Sequence, residues 1–297
     1  MINALDTAID STREPLQKLP RRLWMLWSQG IDQAPLVVRK CITSWIELNP
    51  TWDIKILDTN NLGNYVDLNI PFDKAKTLPI VKVSDMIRLQ LLYNYGGVWA
   101  DATTLCMRPL DEWIDEAVVS GFFAFCVPGP DRVLATWFLA AQPNSLIIKK
   151  WAADYARFFT NHTFGPRGPV KRKINKLLEK KLLNRNRSTT KYWFSPLITR
   201  GLRLYPNYIS HYIFDRLLSY DEESQKIWQK TPKWSAKSIL RLGRKGLLYP
   251  LDEETKQEII SSPAPLYKLT WKFKPERYTH GTLMHYLLEV RDERDKQ

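Results

Sequence analysis

An α/β fold is predicted by three observations over the first 160 or so residues. Short apolar runs alternate with stretches whose apolar residues recur at helical spacing, the pattern of strands joined by helices. A glycine pair, Gly96-Gly97, separates one helical stretch from the strand-like Val98-Trp99-Ala100. That strand ends on Asp101, which delivers a carboxylate to the carboxyl edge of a sheet, where open α/β folds bind ligands.

In chain order, Leu23–Trp27 reads as a short apolar strand, Pro35–Asn49 as a helix and Trp52–Leu57 as an alternating strand. Ala75–Tyr95 reads as helical, interrupted around Pro79. After the strand that ends at Asp101, Leu105–Pro109 and Gly121–Val127 read as further strands. Ser145–Thr160 is a helix whose Leu146, Ile147, Ile148, Trp151, Tyr155 and Phe158 make an apolar face. Beyond residue 160 the chain turns basic and locally irregular, with prolines at 166, 169, 196, 206, 232 and 250, before Leu266–Lys272 supplies a last strand. One domain over 19–297 is expected, with a ligand-binding half (19–160) and an acceptor or membrane-facing half (161–297), preceded by a helical extension over 1–18. With 44% hydrophobic residues and 12 Trp, such a chain fills a sizeable core.

Composition narrows the function classes. Acids at Asp6, Asp10 and Glu14 break the region where a signal peptide needs an apolar stretch, and no apolar run is long enough to span a bilayer. A cytoplasmic protein is therefore expected. Cys41, Cys106 and Cys126 are too few and too scattered for a disulfide framework, and read as reduced, buried thiols. The net charge of +13 is uneven: ten Lys or Arg between Arg167 and Lys191, against Glu179 alone, give that segment +9. Within it Val170, Ile174, Leu177, Leu178 and Leu182 recur at helical spacing. This is either an amphipathic helix docking on the anionic inner face of a plasma membrane, helped by Lys233, Lys237, Arg241, Arg244 and Lys245, or a solvated helix packed on the domain. It does not read as a nucleic-acid surface, since no recognition motif or aromatic interleaving accompanies the charge.

The chemistry-bearing stretch is Ser84–Leu105, SDMIRLQLLYNYGGVWADATTL. Asp85 and Arg88, three apart, are either an ordinary helix ion pair or part of a site. The unit formed by Ser84, Asp85, Arg88, Gly96, Gly97, Val98, Trp99 and Asp101 resembles the signature of sugar-binding-region "DXD" glycosyltransferases, in particular the capsular polysaccharide synthesis branch related to glycosyltransferase family 32. PRRLWMLWSQG (20–30), Ala34-Pro35 and SWIELNPTW (44–52) resemble the family's first strand and helix, and PLYKLTWK (265–272) its C-terminal strand. Three blocks in the right order, covering roughly 19–105 and 263–290, are more specific than any one of them.

The resemblance implies a GT-A-like nucleotide-diphospho-sugar transferase fold with a mostly helical basic insertion or C-terminal part. It implies catalytic or donor-contacting roles for Asp85, Arg88 and Asp101, with Ser84, Gly97, Thr103 and Lys272 also in the nucleotide-sugar site. Trp27 matches the aromatic on which the base stacks, worth roughly 1–3 kcal/mol, unless it is simply core; Trp24 fits that position less well. One departure stands out, because the second acid of D-x-D is Thr103. Mn²⁺ or Mg²⁺ would then rest on Asp101, the donor's diphosphate and a C-terminal group such as His280, with a hydroxyl as the weaker ligand. Lys268 and Lys272, with His280 or His285, are candidates to offset charge on the departing diphosphate. The implied reaction is retaining transfer from a UDP-sugar to a hydroxyl of a growing or lipid-linked bacterial surface glycan, in capsule, exopolysaccharide or lipopolysaccharide. A protein-modifying transferase and a nucleotide-sugar-binding module without turnover stand as alternatives.

Overall fold

The computed structural model describes residues 18–67, 78–164 and 168–294; of the predicted extension over 1–18, all but Lys18 lies outside them. The main sheet has five strands: β1 (Arg22–Leu26), β2 (Asp53–Leu57), β3 (Gly97–Ala100), β5 (Phe122–Gly129) and β6 (Arg132–Ala141), in the order β2-β1-β3-β6-β5. β2, β1 and β3 run parallel, whereas β6 is antiparallel to both β3 and β5. A second, two-stranded sheet pairs β4 (Thr104–Cys106) antiparallel with β7 (Leu266–Lys268).

The first two crossovers set the position of the site. From β1 the chain passes through α1 (Leu36–Leu48) to β2 on one side, then through α2 (Ile80–Tyr95) to β3 on the other. Right-handed crossovers in opposite directions place their helices on opposite faces of the sheet. The core follows that division. Trp24 of β1 and Trp99 of β3 pack with Met86, Ile87 and Leu91 of α2, whereas Leu23, Met25 and Val98 pack with Val38, Ile42 and Trp45 of α1. The strands are thus buried on both faces and read as unbroken apolar runs. The crevice between the carboxyl ends of β1 and β3, where the strand order reverses, is the usual ligand position in such sheets.

Local signals set the ends of α2. Pro79 stands just before its first turn, and Gly96, at φ 64°, ends it, with its N–H bonded to Leu92 O. Trp24 is core: its Nε1 donates to Gly96 O at 3.0 Å and ties β1 to this helix end.

Two expectations need correction. β6, eight of whose ten residues are apolar, is not among the expected strands, yet it occupies an interior position in the sheet. The region after 160, locally irregular by its residue pattern, is largely helical, as the family resemblance implies: α3 (Leu146–Asn161) is followed by α4 (Pro169–Leu177), a π-helical turn Leu178–Leu183, α5 (Ile209–Tyr220), α6 (Glu222–Lys230), α7 (Ala236–Lys245), α8 (Glu253–Ser261) and α9 (Leu283–Arg294). The last strand is shorter than expected and ends at Lys268. All three cysteines are free and buried, as expected.

The basic segment also differs from one continuous amphipathic helix. Ile174, Leu178 and Leu183 pack against Trp193, Ile198 and Tyr212, but Val170, Leu177 and Leu182 are 70%, 55% and 50% exposed. Glu179, the one acid in the run, accepts from Asn207 N (2.6 Å) and Nδ2 (3.1 Å). Among the described residues no helix is long and apolar enough to cross a membrane.

Candidate active site

A cleft of about 430 Å³ opens at the carboxyl ends of β1 and β3, with Trp27, Ser84, Arg88, Asp101, Lys268 and Trp271 among its walls. Each residue arrives from a different element. Trp27 follows β1, Ser84 and Arg88 lie one turn apart on α2, Asp101 follows β3, and Lys268 closes β7. The small sheet brings the last of these into place, because Thr104 pairs with Lys268 in its register and Leu269 N donates to Thr103 O at 2.8 Å.

Arg88 organises the polar floor. Its side chain is 5% exposed and its Nη2 lies 3.5 Å from both Asp85 Oδ1 and Asp101 Oδ1. The same nitrogen donates to Ser84 Oγ at 3.0 Å, Nε donates to Ser84 O at 3.2 Å, and Nη1 donates to the carbonyl of Thr136 on β6. The guanidinium also sits over the Trp99 ring, 4.9 Å from its centroid. A planar fork serves two carboxylates, a hydroxyl and two carbonyls in one place, which an ammonium could not do.

Asp101 is fixed from every side. Its N–H donates to Trp137 O at 2.8 Å, Oδ1 accepts from Trp99 Nε1 at 3.1 Å, and Oδ2 lies 3.4 Å from Lys268 Nζ. Its side chain remains 29% exposed, so the carboxylate is both oriented and open to the cleft.

Asp85 does not line this cleft. On a helix, Ser84 and Arg88 at i and i+4 share a face, whereas Asp85 is rotated about 100° away. It faces α3, where Tyr155 OH donates to its Oδ2 at 3.4 Å and to Lys82 O at 3.2 Å. Burial raises the Asp85 pKa above the usual carboxylate range, against the opposing pull of Arg88 and Lys82. Asp85 therefore acts through Arg88, as a positioning residue. Behind Thr136 lies His211, its Nε2 3.4 Å from Thr136 Oγ1; burial, then the charges of Arg132, Lys82 and Arg88, hold its pKa well below 6.5 and keep the ring neutral at pH 7.

Of the other predicted residues, Trp27 stands at the cleft edge-on to Trp271, ring centroids 5.7 Å apart, and its Nε1 is buried without a hydrogen-bond partner. A buried donor left in that state is costly unless a ligand or water accepts from it. Gly97 lies at the far end of β3 from Asp101. Lys272 is exposed and outside the cleft wall. His280 lies against His285, centroids 5.3 Å apart, and His285 Nε2 is 3.0 Å from Glu289 Oε2; neither histidine lines the cleft.

Sequence reasoning missed Trp271 and the apolar lip formed by Ile80 and Val81, both exposed at the first turn of α2. The tryptophan could have been suspected from its position three residues past the end of the C-terminal strand, in the quoted KLTWK.

The residues present do not suit a tightly held divalent cation. The Thr103 hydroxyl already accepts from Lys268 Nζ, and the Asp101 carboxylate is flanked by two cations. Among the described residues no group of three His, Cys, Asp or Glu stands close enough to hold a metal.

Comparison with known proteins bears on this site. The family model described as capsular polysaccharide synthesis protein matches residues 3–165, more than half of the chain. The chain belongs to this family. The match takes in β1, α2, β3 and Asp101, but stops short of Lys268 and Trp271. Among curated relatives, glycosyltransferase afumC of Aspergillus fumigatus is 35% identical over 150 residues, covering 44% of this chain and 38% of that protein. An initiation-specific alpha-1,6-mannosyltransferase of Candida albicans is 27% identical over 136 residues, covering 40% of this chain and 35% of that protein. The matches thus span well under half the length of these relatives, both of them fungal. Of solved structures, the PaToxG glycosyltransferase aligns over 72% of this chain and 88% of its own, at 13% identity and a TM-score of 0.35, too low to transfer detail.

Proposed function

We propose that this member of the capsular polysaccharide synthesis family is a GT-A-like glycosyltransferase that moves a sugar from a nucleoside diphosphate sugar, with uridine the expected base, to a hydroxyl of a surface glycan. The observation that carries the reading is Asp101, open to the cleft at the sheet's switch point and held between the cations Arg88 and Lys268. Cations suit a diphosphate, a carboxylate suits hydroxyls of ribose or sugar, and an aromatic with an unpartnered N–H suits a base. In the transfer, the bond from the anomeric carbon to the diphosphate oxygen breaks and the electron pair leaves with that oxygen. The acceptor oxygen bonds to the same carbon, and its proton passes to the departing diphosphate. Arg88 and Lys268 stabilise charge where it develops, on the leaving group. Retention of configuration and a bacterial glycan acceptor follow the family resemblance.

The test is binding and turnover of a panel of nucleoside diphosphate sugars by the wild type and Asp101→Asn. One donor is expected to bind and turn over slowly. The substitution is expected to weaken it by about 10- to 150-fold, the equivalent of one lost hydrogen bond to a charged group at ~1.5–3 kcal/mol. If none of the donors binds, the reading fails. Thr103 favours a second reading, a binding module without catalysis, which the same assay separates as donor bound but never cleaved.

The basic surface we assign to the inner face of a plasma membrane, with the protein cytoplasmic and peripheral. The exposed Val170, Leu177 and Leu182 stand among Lys173, Lys176, Lys180 and Lys181, an apolar and cationic mixture suited to anionic lipid. At about 1 kcal/mol per basic residue, changing Lys176, Lys180 and Lys181 to Ala should lower partitioning onto phosphatidylserine vesicles by about two orders of magnitude. Co-flotation measures it, and equal binding to neutral vesicles would refute the assignment.

A further inference from the structure

The residue that departs from the D-x-D pattern has an explanation in the second sheet. Lys268 Nζ donates to Thr103 Oγ1 and lies 3.4 Å from Asp101 Oδ2, so one ammonium bridges the first and third residues of Asp101-Ala102-Thr103. In a metal-dependent version of this motif those two positions carry the carboxylates that face the cation. Here the third position carries a hydroxyl, and a positive charge already stands against both oxygens.

The arrangement is built rather than incidental. Residues 165 apart in sequence are brought together by the β4–β7 pairing, and the backbone bond from Leu269 N to Thr103 O at 2.8 Å fixes the register on the residue next to Lys268. The Lys268 side chain is 20% exposed, so the ammonium is anchored at its base and still reaches the cleft that Asp101 and Trp271 line. A second aspartate in place of Thr103 would balance a divalent ion, but a threonine suits a monovalent ammonium, which has three protons to donate and no need of a further anion.

We propose that Lys268 takes the place of the divalent cation, and that this site binds a nucleoside diphosphate through the ammonium of Lys268 and the guanidinium of Arg88 without a metal ion. This rests on the donor-site reading given above and adds to it the identity of the counter-charge. It also accounts for Thr103, which is the partner that holds Lys268 in place.

The experiment is calorimetric titration of the full chain with UDP, in excess EDTA and in excess MnCl₂, for wild type, Lys268→Met, Lys268→Arg and the double variant Thr103→Asp with Lys268→Met. Mn²⁺ binding to the chain alone is followed in parallel by electron paramagnetic resonance. The wild type is expected to bind UDP within about twofold of the same Kd in both conditions and to take up no Mn²⁺ by itself. Lys268→Met should raise Kd in EDTA by about 10- to 150-fold, and Lys268→Arg should restore most of it. The double variant should bind UDP more tightly with Mn²⁺ than without. Wild-type binding that tightens tenfold or more with Mn²⁺, or Lys268→Met binding in EDTA as wild type does, overturns the proposal. If Lys268→Met does not fold, the wild-type metal comparison and Lys268→Arg still decide it. Failure of UDP to bind to the folded wild type under any condition is a different result: it overturns the donor-site reading itself, and this inference with it.

Discussion

Replacing Arg88 by methionine is expected to destabilise the protein by about 3–5 kcal/mol and to abolish donor binding, the range seen when one partner of a buried ion pair is removed. Methionine keeps much of the volume, so the loss would not be a cavity effect. What is lost is compensation. Asp85 and the Arg88 side chain are 7% and 5% exposed, and without the guanidinium Asp85 keeps its burial penalty with only Lys82 and the Tyr155 hydroxyl to oppose it. Ser84 Oγ and Thr136 O also lose their donor. Arg88→Lys should restore charge but not the fork, and so recover part of the stability without recovering the orientation of Asp101. Urea unfolding with an unchanged m-value measures the first effect, and UDP titration the second. A loss under about 1 kcal/mol for Arg88→Met would show that the floor does not depend on this residue.

How much of this was legible beforehand depends on whether the signal was local. The elements around the motif are set by local chemistry: Pro35 and Pro79 stand before helices, Gly96 ends one, and apolar runs mark the strands. β6 escaped because RVLATWFLAA is buried on both faces and lacks the alternation that marks a strand. The prolines after 160 read as breaks in the pattern, but Pro169 occupies a helix's first turn and Pro206, Pro232 and Pro250 lie in the connections before α5, α7 and α8. Read as starts, they would have indicated helices. Within the site, the motif's Ser84, Arg88 and Asp101 line one cleft, but spacing alone does not separate Ser84 and Arg88, which share one helix face, from Asp85, which faces Tyr155. Lys268 and Trp271 lie far from the motif in sequence, and only the β4–β7 pairing brings them to it. Lys272, a candidate alongside Lys268, falls past the end of that strand.

Gly97→Ala is the second substitution expected to have a large effect, for a reason unrelated to ligand binding. Gly97 has φ +91°, a region that costs a residue with a side chain about 1–3 kcal/mol. A Cβ there would lie 2.4 Å from the carbonyl oxygen of Arg22, on the neighbouring parallel strand. That neighbour is backbone and cannot turn aside, so β1 and β3 must part at this end, at an overpacking cost of about 1–3 kcal/mol more. The combined loss should be about 2–6 kcal/mol, read as a fall in the urea midpoint or in soluble yield. Gly63→Ala is the control, since nothing lies within 4 Å of its Cβ position, and it should leave the midpoint unchanged. The consequence would reach the site indirectly. Trp27 directly follows β1 and Asp101 directly follows β3, so forcing the strands apart changes the width of the cleft between them. A Gly97→Ala protein as stable as the Gly63→Ala control would contradict this account. A loss confined to donor binding, with stability intact, would instead place the glycine's role at the ligand rather than in the contact between the two strands.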